Sequence, residues 1–330
     1  SRKGDSWNAI VSQFGKSLQK SPLIVSNAHT KRLHLSEFSL GNSLAFSSSM
    51  ASALSKAHIT ELSLCHNNIS QLSESIGDLS GLQILCLSHN KLTALPSVVL
   101  AKLGSTLQYL DCSHNMISEA VLTNTMSQLD TLLLHGNQLK TLGLDSARMD
   151  DASLSLDDDD SSTSSSPALH GFYEFLPALT FLDLSRNKLR KLSVDGVGLL
   201  KSLKELWVVN NVLTALPASL SVLPHLAVVD CSLNRLEYFP PELSVCKNLE
   251  IAWDRNPLTS IPQQILSGGW KELVPYLHSL KDGSKKFSTV KLMFFGDGSV
   301  GKTSLLRAFC VAESFGSKKV KNKIKKFSKN

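Results

Sequence analysis

The chain of 330 residues predicts an α/β solenoid, a stack of short strand-and-turn coils that runs into a strand, a glycine loop and a helix. Three observations predict it. An eleven-residue frame, L-x-x-L-x-L-x-x-N-x-L, stands complete at Leu179, Leu182, Leu184, Asn187 and Leu189. Its asparagine recurs at Asn67, Asn90, Asn115, Asn137, Asn187, Asn211, Asn234 and Asn256, at separations of 23, 25, 22, 50, 24, 23 and 22 residues. Within each copy the leucines alternate with other residues, so Leu182 and Leu184 face one side of a strand and Asp183 the other. Frame and period together are the signature of a leucine-rich-repeat solenoid (horseshoe). A degenerate first copy, LHLSEFSL, keeps Leu33, Leu35 and Leu40 but has Phe38 in place of asparagine, which makes about nine repeats between residues 30 and 262.

The asparagine follows from the turn. A chain leaving a strand sharply buries backbone groups that must be paired. Asparagine carries a donor and an acceptor on a short stem, so a column of them can bond each coil to the next. Losing one rung is expected to cost about 1–3 kcal/mol, the penalty for stranded buried polar groups.

The elements follow in order. Residues 1–29 place Trp7, Ile10, Val11, Phe14 and Leu18 at helical spacing behind Asp5 and Ser6, which predicts a capping helix over the open end of the solenoid. The pairs Leu95-Pro96, Leu216-Pro217, Phe239-Pro240 and Ile261-Pro262 mark where the chain passes to the convex side, where turns and single helical turns are expected. The 50-residue interval holds one coil plus about 27 added residues. Within it, residues 145–167 are acidic, serine-rich and poor in large apolar groups, so a disordered insertion is expected. A solvated spacer is the plain reading of that stretch. Ser155, three residues before Asp158, makes it also a candidate phosphorylation site. Residues 263–288 carry Trp270, Leu273, Val274, Leu277 and Leu280 as an apolar stripe interrupted by Pro275, which predicts a kinked or two-part helix closing the other end.

Composition narrows the function. Hydrophobic residues make up 42%, and no apolar run approaches the roughly 20 residues needed to span a bilayer. The net charge of +6 is local: residues 316–330 hold seven lysines and no acid, which leaves 27 basic and 28 acidic groups elsewhere, a net of −1. A neutral body gives no reason to expect nucleic acid. The lysine-rich tail offers at most contact with an anionic membrane. Six scattered cysteines without paired caps favour a reducing, cytoplasmic setting. The start, SRKGDSW, has neither an initiator methionine nor an apolar leader and reads as a fragment.

On the concave face the outward strand positions hold Ile84, Tyr109, Phe181, Trp207 and Val228, larger and more apolar than an inert surface requires. A protein or peptide partner is expected there, with Trp207 as the anchor and Asp111, Asp183, Asp230 and Asp254 as an acidic stripe beside it. His66, His89, His114 and His135 form a second column near the strand ends. They read as filler before the asparagine rather than as a metal site, because no carboxylate or cysteine completes a ligand set.

Beyond the last coil an apolar run, VKLMFF, leads into GDGSVGKTS and a helical stretch, LLRAFCVAE. This is the phosphate-loop pattern G-x-x-x-x-G-K-[ST] in its proper strand–loop–helix order. Gly296, Gly298 and Gly301 let backbone amides approach phosphate oxygens. Lys302 would reach the outer phosphates, and the Thr303 hydroxyl would hold Mg2+.

GDGSVGKTSLL resembles the phosphate loop of Ras-like small GTPases. Preceded by leucine-rich repeats and a helical linker, it resembles the Roco family, in which repeats lead into a Ras-of-complex (Roc) GTPase domain, a COR domain and sometimes a protein kinase. The resemblance implies a P-loop Ras-like domain beginning at residues 289–315. It further implies that Gly296, Asp297, Gly298, Ser299, Val300, Gly301, Lys302, Thr303 and Ser304 bind GTP or GDP with Mg2+ in a longer signalling parent. Only 27 residues follow Thr303, against on the order of 150 for a whole domain, and no D-x-x-G or N-K-x-D motif is among them. Negligible nucleotide affinity and no catalytic residue are therefore expected of this chain alone. The alternative is a pure interaction module with a vestigial phosphate loop.

Overall fold

The computed structural model describes residues 24–26, 31–37, 54, 58–142, 172–246 and 248–281. The chain divides after Gly283 into two units, and every described residue lies in the first. The expected capping helix at the start, Phe38 and Leu40, the acidic stretch 145–167, the phosphate loop and the lysine-rich tail lie outside the described residues.

Ten short strands form one sheet. They are β1 (Ile24–Ser26), β2 (Lys31–His34), β3 (Glu61–Ser63), β4 (Ile84–Cys86), β5 (Tyr109–Asp111), β7 (Thr131–Leu133), β9 (Phe181–Asp183), β10 (Glu205–Trp207), β11 (Val228–Asp230) and β12 (Glu250–Ala252). Strand β1 runs antiparallel to β2, and the other nine are parallel and in register, one per coil. The middle residue of each of β3, β4, β5, β7, β9, β10 and β11 is a buried leucine or valine, and the inward residue two positions later, leucine in four coils and Cys112, Val208 or Cys231 in the others, is buried beside it. Just past the asparagines, β6 (Glu119–Ala120) and β8 (Thr141–Leu142) form a second, two-stranded parallel sheet.

Strand β7 pairs directly with β9. The coils of Asn137 and Asn187 are thus neighbours, and the 50-residue interval is one coil with added chain. The asparagine ladder crosses this point unbroken: Asn187 Nδ2 donates to Leu134 O at 3.0 Å and to Leu184 O at 2.9 Å, while its Oδ1 accepts from Leu139 N at 3.0 Å. The same three bonds recur at Asn90, Asn115, Asn137, Asn211 and Asn234. Asn67 reaches back to Leu35 O at 2.9 Å, so the degenerate first coil is tied to the ladder by its neighbour's asparagine.

On the side away from the sheet the proline pairs start helical turns, as their fixed φ permits. Pro96 precedes α1 (Ser97–Leu103), Pro217 and Pro240 precede 3-10 turns Ala218–Val222 and Pro241–Val245, and Pro262 precedes α3 (Gln263–Ser267). A further short helix, α2 (Val194–Val197), is N-capped by Ser193, whose hydroxyl accepts from Gly196 N at 3.2 Å. Two more 3-10 turns, Glu74–Asp78 and Phe172–Phe175, lie among the described residues.

The end of the ladder is closed by α4 (Trp270–Lys281), and here the expected kink moves. The helix runs through Pro275, while the break falls at Gly268 and Gly269, the latter at φ +74°. Glycine adopts that conformation at no steric cost, so the break sits there and the proline is accommodated within the helix. Leu273 and Leu277 are fully buried, but Leu280 is exposed and leaves the predicted stripe. In the last coil Trp253 stands where leucine is usual, and its ring packs with Phe239 at 5.7 Å and Trp270 at 6.4 Å. Trp270 Nε1 also donates to Cys246 O at 3.2 Å.

Candidate functional site

The face of the sheet opposite the leucines is set by three outward positions of the frame, the third, fifth and seventh, with the eighth at the corner. The corner has a consistent backbone. His66, His89, His114, Gly136, Arg186, Asn210, Leu233 and Arg255 all have φ between +51° and +68°, and Glu37 in the first coil has +64°. This left-handed turn swings the chain off the strand so that the following asparagine side chain lies beneath it. Non-glycine residues pay for that conformation sterically, and asparagine and histidine tolerate it better than most. The histidine column therefore has a conformational cause.

The column also differs from its sequence reading. His66, His89 and His114 share position eight and stack, with ring centroids 4.1 and 4.3 Å apart. His135 stands one position earlier, edge-on to His114 at 4.9 Å, because Gly136 takes the corner. A Cβ at Gly136 would lie 2.8 Å from His114 Nδ1, so glycine there also makes room for the ring. A carboxylate does reach this column: His135 Nδ1 lies 3.1 Å from Asp183 Oδ2 on the next coil. That contact is the main reason the His135 pKa is raised. Burial pushes Asp183 upward, but the bonds from His135 and Ser185 outweigh it and hold the carboxyl below its usual range. His114 is lowered by burial first and then by the neighbouring histidines. Among the described residues no group of three or more His, Cys, Asp or Glu is placed to hold a metal ion.

The five predicted partner residues fall into two patches. Ile84 and Tyr109 are register neighbours on β4 and β5, both half-buried. Phe181, Trp207 and Val228 lie on consecutive strands β9 to β11, with the Phe181 and Trp207 rings 5.8 Å apart and Trp207 38% exposed. Thr131 of β7 stands between Tyr109 and Phe181 and separates the patches. Leu133, Val209 and the exposed Leu233 extend the second patch and were missed by sequence reasoning, although each occupies an outward frame position and was readable from it.

The acidic stripe needs correction. Asp111, Asp183 and Asp230 each accept a bond through Oδ1 from the backbone N–H two residues on, at Ser113, Ser185 and Ser232, at 2.9, 2.9 and 3.0 Å. Asp111 and Asp183 are buried. These carboxylates brace the turn off the strand, a role written in the repeated D-x-S pattern. Only Asp254 of the four is exposed.

Comparison with known proteins bears on the repeats. A model of leucine-rich repeats matches residues 57–117. Toll-like receptor 2 of Bison bison is 31% identical over 213 residues, covering 57% of this chain and 26% of the receptor. The leucine-rich repeat serine/threonine-protein kinase 1 of Caenorhabditis elegans is 25% identical over 260 residues, 69% of this chain and 11% of the kinase. The chain thus spans about a quarter or less of the length of these relatives. Among solved structures, a leucine-rich-repeat protein of Leptospira interrogans superposes with a TM-score of 0.52 at 22% identity, covering 69% of this chain and 56% of its own. A TDR receptor superposes at 0.53 and 22% identity, over 76% and 37%. These likenesses show a leucine-rich-repeat solenoid with a parallel sheet.

Proposed function

We propose that this chain is the recognition arm of a longer GTP-binding signalling protein, and that it takes a protein or peptide partner on the sheet face around Trp207. The observation that carries the recognition reading is the apolar patch itself. Trp207 stands exposed against Phe181, flanked by Val228 on the next strand, at positions where the frame asks for nothing apolar. Large rigid aromatics on short rigid strands make economical anchors, since little side-chain freedom is lost when they are covered.

The second half of the reading rests on sequence. GDGSVGKTS supplies Gly296 to Ser304 in the order that cradles phosphates, with Lys302 for the outer phosphates and Thr303 for Mg2+. The kinase relative, matched over 69% of this chain, supports a multidomain parent. The receptor relatives support the alternative, a recognition module without nucleotide chemistry.

Calorimetry separates the two. Mg·GTP titrated into this chain and into a version extended by about 150 residues of the parent, roughly one domain, is expected to bind only the longer protein and to lose binding with Lys302→Ala. Absence of binding in both would leave the recognition module alone. For the partner, a photo-crosslinking residue at position 205, outward on the same strand, is expected to capture a protein whose affinity falls at least tenfold with Trp207→Ala. An unchanged affinity would remove Trp207 as the anchor.

A further inference from the structure

Between β9 and β12 the outward residues alternate in two directions. Along each of the first three strands an apolar side chain shares the face with a carboxylate: Phe181 with Asp183, Trp207 with Glu205, Val228 with Asp230. Across the strands the register does the same, setting Trp207 between Asp183 and Asp230, and Val228 between Glu205 and Glu250. No lysine or arginine occupies the third, fifth or seventh position of these four coils. Among the described residues Asp183 alone of these acids has an ion-pair partner, His135 at 3.1 Å. Asp230 and Glu205 are half-buried and Glu250 is exposed.

The other patch shows what such a carboxylate takes. Glu61 stands at the third frame position, in register with Ile84 on one side and with Arg32 on the other. Its Oε2 holds the Arg32 guanidinium at 2.7 Å. Glu205 and Glu250 occupy the same frame position with no such cation among the described residues. Neighbouring strands lie about 4.8 Å apart, so whatever covers Trp207 also covers Asp230 and Glu205. A purely apolar partner would strip water from those carboxylates and put nothing in its place, which is strongly unfavourable. The phosphates of a nucleic acid or a lipid would be repelled. The face therefore fits a partner that brings positive charge and carbon surface together.

We infer, building on the recognition face proposed above, that it takes an arginine-bearing segment of its protein partner, with the guanidinium on the Trp207 ring and paired to Asp230 or Glu205. Guanidinium suits both neighbours at once. Its flat face stacks on an aromatic ring, and its fork of N–H donors meets a carboxylate in its own plane. Lysine would bring a point charge without that plane. The aliphatic stem of the same arginine supplies carbon to cover Val228. The Trp207 ring is 38% exposed and so is open to such a contact. One oxygen of Asp230 is already held by Ser232 N–H at 3.0 Å, which fixes the carboxylate before the partner arrives.

The test uses the whole chain. Peptides are selected on it from a random display library, and synthetic copies are measured by fluorescence anisotropy. Arginine is expected to be enriched among the selected peptides. Citrulline at the selected arginine, which keeps the shape and removes the charge, should weaken binding at least tenfold, as should Trp207→Ala. Asp230→Asn combined with Glu250→Gln is expected to weaken it about fivefold, with the asparagine Oδ1 still accepting from Ser232 N–H so that the turn is kept. Salt at about 0.5 M should weaken binding as well. Trp207-dependent peptides that carry no arginine, or that bind equally well with citrulline or lysine in its place, would overturn the guanidinium assignment and leave the recognition face standing. A library that yields no Trp207-dependent peptide would overturn both.

Discussion

The sheet face has two halves built on one backbone. From β3 to β5 its outward residues include Cys65, Cys86 and a stack of histidines beside Ile84 and Tyr109, while from β9 to β11 Phe181, Trp207, Val209 and Val228 stand among Asp183, Glu205 and Asp230. Beneath both run the same buried leucine or valine columns, the same asparagine ladder and the same left-handed corner. The difference lies in outward residues other than the aspartates that brace the turn. What the comparison teaches is that the interior, the corner and the bracing aspartates carry stability, whereas the remaining third, fifth and seventh positions are free to vary.

The largest test of this division is to cut the shared interior. Asn187→Ala removes the acceptor for Leu139 N–H and the donor for Leu134 O and Leu184 O at the one place where the ladder bridges added chain. Stranding these buried groups is expected to cost about 3 kcal/mol, seen as a lower urea midpoint. Asn90→Ala and Asn211→Ala, one in each half, should cost similar amounts. A large inequality between them would show that the halves are not built on equivalent interiors.

A smaller effect is expected at the corner between the halves. Gly136→Ala places a Cβ at φ +68° and within 2.8 Å of His114 Nδ1. The conformational part alone is expected to cost about 1–2 kcal/mol, and displacement of the ring adds to it. Gly136→Ala in a His114→Ala background isolates the conformational part, and a loss as large as in the parent would show that the ring contact contributes nothing.

How much of this was legible in the sequence follows from the same division. The coils, their number and the leucine core could be read because each frame position has one acceptable solution, a buried aliphatic group or a turn-pairing amide. The corner could not, since its requirement is a positive φ that glycine, histidine, asparagine, arginine and leucine all meet here. The histidines were visible as a column, but not that their common cause is conformational or that His135 is out of step. The D-x-S aspartates looked like a free acidic stripe, because the hydrogen bond that occupies them is made to backbone and leaves no trace in the spacing between coils.

The histidines also make the pH response of the column separable. The raised pKa of His135 means that its contact with Asp183 stabilises the fold fully below the ordinary value of 6.5 and that this contribution is lost as pH rises through the folded value. Asp183, lowered, contributes above its ordinary 3.8 and loses that contribution as pH falls through its folded value. His114 has the opposite sign to His135: a lowered base is costly to protonate in the fold, so stability falls on acidification below 6.5. The expected outcome of urea titrations across pH is that His135→Gln removes the loss on the alkaline side and His114→Gln removes part of the loss on the acid side. Parallel curves for wild type and both variants would show that neither ring is coupled to folding.

The smallest expected change is the most informative about recognition. Leu233 sits at the corner with φ +59° and is 39% exposed, its N–H bonded to Asp254 O at 2.7 Å. Leucine is poorly suited to both circumstances, since its Cβ crowds the left-handed turn and its apolar surface meets water. Leu233→Asn relieves the first and removes the second, and is expected to stabilise the chain by about 0.5–1 kcal/mol. With its backbone in the left-handed region and its apolar surface exposed beside the Trp207 patch, Leu233 is a candidate contact of the proposed partner. The same substitution is therefore expected to weaken capture of the partner crosslinked from position 205. Greater stability with weaker capture would extend the recognition half of the face to its corner. Greater stability with capture unchanged would confine recognition to the strands.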